Sequence, residues 1–169
     1  MSERGVQRDA GLMAVLRRLD DPRWLEFPAD YGSAALAASC RTLVADLDSR
    51  FATSCPIERD IQDSAQYGRI EVPGPATVCG TRIVVLVSKF TPLAMVAADN
   101  PGAFLGTDEA CAEGELDAGD LEKVEQALVG SGHLVIPEEL LMTRYDGVAH
   151  LRFCGSGGPY WWDRFFGSF

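Results

Sequence analysis

The most apolar part of the chain runs from Arg82 to Ala97, where Ile83, Val84, Val85, Leu86 and Val87 follow one another without a polar break. Thr91-Pro92 interrupts the run and Leu93 to Ala97 resumes it. The pattern predicts two strands that leave and return, buried at the centre of a sheet. Asp99-Asn100-Pro101-Gly102 closes the second run with strong turn chemistry. Upstream, Leu12, Val15, Leu16 and Leu19 recur at three- and four-residue spacing and predict a first helix capped by Asp9, with Met1 to Arg8 frayed ahead of it. Asp20-Asp21-Pro22 ends that helix, because proline disfavours helical geometry in the residue before it. Trp24 and Phe27 read as anchors that pack the following connection onto the core. Leu36, Cys40, Leu43, Val44, Leu47 and Phe51 form the clearest stripe in the chain and predict a second helix over Ser33–Phe51, with Ser33 as its cap.

The remaining pattern is shorter in range. Ile57 to Gln66 is polar enough for either a short helix or a long loop, and Tyr67 to Val72 alternates as a strand stopped by Pro73-Gly74-Pro75. From Asp117 or Ala118 to Val129, Leu121, Val124 and Leu128 face inward while Glu122 and Glu125 face outward, a helix ended by Gly130 and Gly132. His133 to Ile136 reads as a short strand, Pro137-Glu138-Glu139 opens a helical turn through Met142, and Asp146-Gly147 is a turn. Ala149 to Cys154 reads as another strand and Gly155 to Pro159 as a flexible link. The chain closes on YWWDRFFGSF, whose alternation suggests a last strand or extended tail on the core, or else an exposed partner-binding anchor carrying Trp161 and Trp162. These elements predict one α+β domain over residues 1–169, with a mainly antiparallel central sheet and helices packed on one face.

Charge changes this picture in one place. Fifteen basic residues oppose twenty-five acidic ones, a net charge of −10. Asp99 to Gln126 holds nine acids against one base, Lys123, so that segment carries −8 of the total. Such a chain repels nucleic acid and anionic membrane surfaces at long range and suits a basic partner. Two readings compete for the acidic block: a solvated face that keeps the protein soluble, and a docking face built from Asp108, Glu109, Glu113, Glu115, Asp117, Asp120 and Glu122. Meanwhile the N-terminal stretch has no apolar signal region and the Ile83–Val87 run is too short to span a bilayer. Five widely spaced cysteines without a Cys-x-x-Cys argue against a disulfide framework and a structural zinc site, which makes the cytoplasm the expected compartment.

Candidate chemistry is sparse. His150 and Cys154, with Asp146 upstream, supply the residue types of a thiol triad. On a strand the histidine and cysteine would share a face but lie about 13 Å apart, so a buried cysteine and a packed or surface histidine is the stronger reading. Gly155 to Gly158 matches no phosphate-binding spacing. Two histidines cannot make a His-rich metal site, and the acidic block lacks the spacing of a calcium loop. No catalytic residue, metal or cofactor is therefore assigned.

The strand pair RIVVLVSKF and LAMVAADNPG, the segment LVIPEELLMTRYDG and the closing YWWDRFFGSF together resemble small acidic bacterial proteins that neutralise the toxin encoded beside them. These are the immunity proteins of polymorphic or contact-dependent toxin systems, and the resemblance covers Tyr67 to Phe169. It implies a mixed α/β protein without catalysis that binds one cognate toxin tightly. The alternatives are a small enzyme of acyl-transfer or small-molecule type using Cys154 or His150, and a structural adaptor docking through its C-terminal aromatics.

Overall fold

The computed structural model describes residues 3–59, 64–152 and 156–167. Five strands form one sheet in the order β1-β2-β3-β4-β5: β1 Ile57–Glu58, β2 Gln66–Val72, β3 Ile83–Ser88, β4 Leu93–Ala98 and β5 Leu134–Val135. The first three pairings are antiparallel and β4 pairs with β5 in parallel. The apolar run is the central strand, and its return lies beside it in the register Ile83↔Ala98 to Val87↔Ala94. Every residue of β3 and β4 is buried. A strand can be buried throughout only if both faces of the sheet are covered.

Both faces are covered, which corrects the expectation of helices on one face. Ile83, Val85, Val87, Ala94, Val96 and Ala98 pack with α2 (Ser33–Phe51), α3 (Gly106–Ala112) and α4 (Ala118–Gly130). Val84, Leu86, Leu93, Met95 and Ala97 pack on the other side with α1 (Glu3–Leu19), α5 (Glu138–Leu141) and α6 (Trp161–Phe166). The alternation of side chains along β3 and β4 divides the core into these two layers. The architecture is α+β with a mostly antiparallel sheet.

The boundaries of α2 are those expected, although Gly32 holds the cap position and Ser33 is already helical. The first helix begins six residues before Asp9, so Asp9 is no cap and Glu3 to Arg8 are helical. Those residues are mostly exposed, and a turn that buries little leaves no apolar period to read. Residues 57–58 form an edge strand on β2, a reading not anticipated for that segment; part of it, residues 60–63, lies outside the described residues. The strand expected from Ala149 is not formed by residues 149–152, and Phe153 to Gly155 lie outside the described residues. Trp24 and Phe27 are 37% and 36% exposed and stack with Tyr31 near the surface rather than anchoring the core.

The aromatic tail packs on the core as a helix, not as a strand. Tyr160 N–H donates to the Asp163 carboxylate at 2.7 Å, which fixes the first turn. Trp161 and Phe165, four apart, then fall on one face, stack with centroids 6.0 Å apart and are fully buried. Ser88 Oγ donates to the Phe165 carbonyl at 2.6 Å, tying α6 to the end of β3.

Candidate functional site

The structure divides the acidic block into residues that hold the fold and residues that face outward. Asp120 is buried, accepts from Val78 N–H at 2.7 Å and pairs with Lys123 at 3.0 Å. Asp117 caps α4 by accepting from Asp120 N–H at 3.1 Å, and Glu115 accepts from the Thr81 hydroxyl. All three make contacts within the fold; Asp120 is buried, while Glu115 and Asp117 remain half-exposed. Asp108, Glu109, Glu113 and Glu122 are exposed on α3, its C-terminal end and α4, and none forms an ion pair among the described residues. Glu109 also accepts from Leu105 N–H ahead of α3. Trp161 is fully buried and is a core residue, not an exposed anchor. Trp162 is half-buried and stacks on Phe166 with centroids 5.4 Å apart.

Beside this face lies a cleft of about 660 Å³ where β5 ends. Its walls carry Asp9 from α1, Asp108 from α3, Glu125 from α4, and Glu138 and Glu139 from α5, with Arg8 as the one base. Leu121, Val135, Ile136 and Leu140 supply apolar lining. Two features of the preceding turn place the α5 carboxylates. Gly102 N–H donates to Glu138 Oε1 at 2.7 Å. Gly106 has φ +88° and no side chain, and a Cβ there would collide with the Glu139 carboxylate. Glu138 is 5% exposed and has no cationic partner among the described residues. Burial raises its pKa, the Gly102 N–H opposes that rise, and the neighbouring Glu139 charge adds to it.

A second, more open depression of about 630 Å³ lies between Pro73-Gly74-Pro75 and Phe104. Its one base, Arg82, already pairs with Asp99 at 2.9 Å and Glu71 at 3.4 Å, and its third acid, Glu115, accepts from the Thr81 hydroxyl. The cleft at α5 differs in that none of its acids forms an ion pair among the described residues.

The most elaborate polar arrangement is inside the protein. Arg164 is fully buried; its Nε donates to Asp20 Oδ1 at 2.7 Å and its terminal nitrogens donate to the carbonyls of Leu25, Asp21 and Trp24. Asp20 Oδ2 accepts from the Tyr145 hydroxyl at 2.6 Å and from Val148 N–H at 2.9 Å. A Cβ on Gly147 would collide with this carboxylate, so the loop closes on Asp20 only with glycine there. The rings of Phe90 and Phe165 flank the guanidinium at 4.7 and 5.0 Å. Burial, then the hydrogen bond to Asp20, push the Tyr145 hydroxyl up to about 12. Every charge here is answered, so the cluster fastens α1's exit, the Tyr145 loop and α6 together.

Thiol chemistry finds little footing among the described residues. Burial pushes Cys40 up to about 11, and burial with the Asp48 carboxylate pushes Cys55 up to about 12, which keeps both in the unreactive thiol form. Asp146 is engaged by Arg17 at 2.9 Å, His150 is exposed, and Cys154 lies outside the described residues. Among the described residues no three His, Cys, Asp or Glu side chains are grouped to hold a metal, and no helix is long and apolar enough to cross a membrane.

Sequence reasoning assigned Asp9 to a cap, Glu125 to a solvated face and Glu138-Glu139 to a helix start; the cleft joins all three sites. The available signal was Pro137-Glu138-Glu139 directly after a short strand, which places two acids at a sheet end. No protein-family model matches the chain, and neither a curated protein nor a solved structure matches it significantly.

Proposed function

We propose that this chain is an immunity protein that neutralises a cognate bacterial toxin in the cytoplasm by tight binding, with no chemistry of its own. The observation that carries this reading is the outward acidic surface of α3 and α4, where Asp108, Glu109, Glu113 and Glu122 are exposed and without ion pairs among the described residues. Like charges gathered on neighbouring elements repel, so such a surface gains from a partner that supplies the missing cations. A toxin that acts on nucleic acid has a basic channel for its polyanionic substrate, and an acidic face set over that channel occludes it. The resemblance of the strand pair, the α5 segment and the aromatic close to immunity proteins points to the same partner class.

The test is association with the toxin encoded beside this chain, measured by stopped flow at low and high salt. Exposed charges are screened beyond about 8–10 Å at physiological ionic strength. Association of the wild type is therefore fast and falls with salt. Glu113→Lys and Glu122→Lys together slow it about tenfold or more while the fold is kept, because rim charges act on encounter. A wild-type rate that ignores salt would move the contact surface elsewhere, and a toxin that neither binds nor is inhibited would retire the reading.

A further inference from the structure

We infer that the cleft between α1, α3, α4 and α5 is the seat for one lysine or arginine side chain projected by the basic partner. The aliphatic stem lies along Leu121, Val135, Ile136 and Leu140, and the charged head sits among Glu138, Glu139 and Asp108. This rests on the reading of the chain as a toxin-binding protein and assigns that contact its anchor.

Three independent features converge on this occupant. The lining is mixed, apolar in Leu121, Val135, Ile136 and Leu140 and acidic around them, the division that a long cationic side chain has along its own length. The acids come from four separate helices: Asp9, Asp108, Glu125 and the Glu138-Glu139 pair, against Arg8 alone. They form no metal-holding group among the described residues, so a spread organic cation suits them better than a compact ion. Finally, Glu138 is a buried carboxylate with one backbone donor and no cation among the described residues. Such a group is costly to keep ionised, and an arriving ammonium or guanidinium restores what burial removed. The Gly102 N–H fixes the Glu138 carboxylate before anything binds, and the missing side chain at Gly106 leaves room for that of Glu139.

The probe is Nα-acetyl-lysine N-methylamide, titrated into ¹⁵N-labelled protein with the matching norleucine amide and spermidine as controls. The expected result is saturable shifts at Leu121, Glu125, Val135, Glu138 and Leu140, absent with norleucine and weakened at least tenfold by Glu138→Gln with Glu139→Gln. Shifts scattered over Glu113 and Glu122 without saturation in the cleft would overturn the assignment, as would equal shifts from norleucine. Spermidine saturating the cleft while the lysine probe leaves it unmoved would reassign the site to a free polyamine and overturn it too. The wild-type titration decides this even if the double variant fails to fold. In the toxin complex, Glu138→Gln is expected to raise the dissociation rate at least tenfold and leave the association rate within twofold. A toxin that binds and is inhibited, yet leaves that variant at the wild-type rate, removes the cleft from the contact and spares the proposed function. A toxin that does not bind, beside a lysine probe that saturates the cleft, retires the immunity reading and leaves the ligand class standing.

Discussion

Asp20 and Glu138 are two carboxylates buried to the same degree, each 5% exposed, in very different company. Asp20 receives a guanidinium, a hydroxyl and a backbone N–H, and the guanidinium spends its remaining donors on three carbonyls. Glu138 receives one backbone N–H and has a second carboxylate for its neighbour. Burial alone therefore does not distinguish a structural acid from an available one; the partner count does. The first belongs to the scaffold. The second stands at the wall of a cleft with a single backbone donor and no cation among the described residues.

The contrast predicts a graded series of stability losses. Arg164→Met keeps most of the packing volume but strands Asp20 as an unpaired buried charge, and denaturant unfolding is expected to show a loss of about 3–5 kcal/mol. A loss below about 1 kcal/mol would mean that water or a rearranged loop satisfies Asp20 and that the contrast is false. Trp161→Ala empties the stacked floor beneath this cluster and is expected to cost about 3–5 kcal/mol, more than Trp162→Ala, whose ring is half-exposed. Tyr145→Phe removes the donor to Asp20 and the acceptor for Ala149 N–H, with an expected cost of about 1–2 kcal/mol.

Glu138→Gln sits at the small end, within about 1 kcal/mol of the wild type, because no cation loses its partner. Its pH dependence is the sharper measurement. The folded pKa of Glu138 lies above the ordinary carboxylate value, so the unfolded chain releases the proton first as pH rises. The contribution of Glu138 to stability therefore falls across the interval from its unfolded pKa to its raised folded one, and glutamine removes that contribution while leaving those of the other carboxylates. Melting curves from acid to neutral pH should show the variant gaining on the wild type. A constant difference would place an unseen partner on Glu138.

Much of the scaffold was legible in sequence because it is written in local periods. The α2 stripe gave both its ends, and the unbroken Ile83–Val87 run marked the sheet centre. That same run also carried the information that both faces are covered, since a half-exposed strand would alternate. The tail was misread because Trp161, Trp162, Phe165 and Phe166 satisfy a two-residue and a four-residue period equally over so short a stretch; the Asp163 cap decides for the helix. The acidic residues were legible as a charge excess but not as roles. Asp117 and Asp120 are spent on a cap and a loop, whereas Glu138 and Asp9 become neighbours only after α1 and α5 are laid on one sheet. Asp20 and Arg164 are 144 residues apart, and nothing local links them.

That separation has a consequence in time rather than in energy. A contact that closes so long a loop is expensive to form before the sheet exists, so it belongs after the folding transition state. Interactions absent from the transition state leave the folding rate alone and set how fast the native molecule comes apart. The Asp20–Arg164 cluster thus acts as a latch on lifetime: weakening it should shorten the interval between openings while refolding proceeds at its usual pace. The interval between openings, rather than the equilibrium stability, is then the quantity this cluster governs.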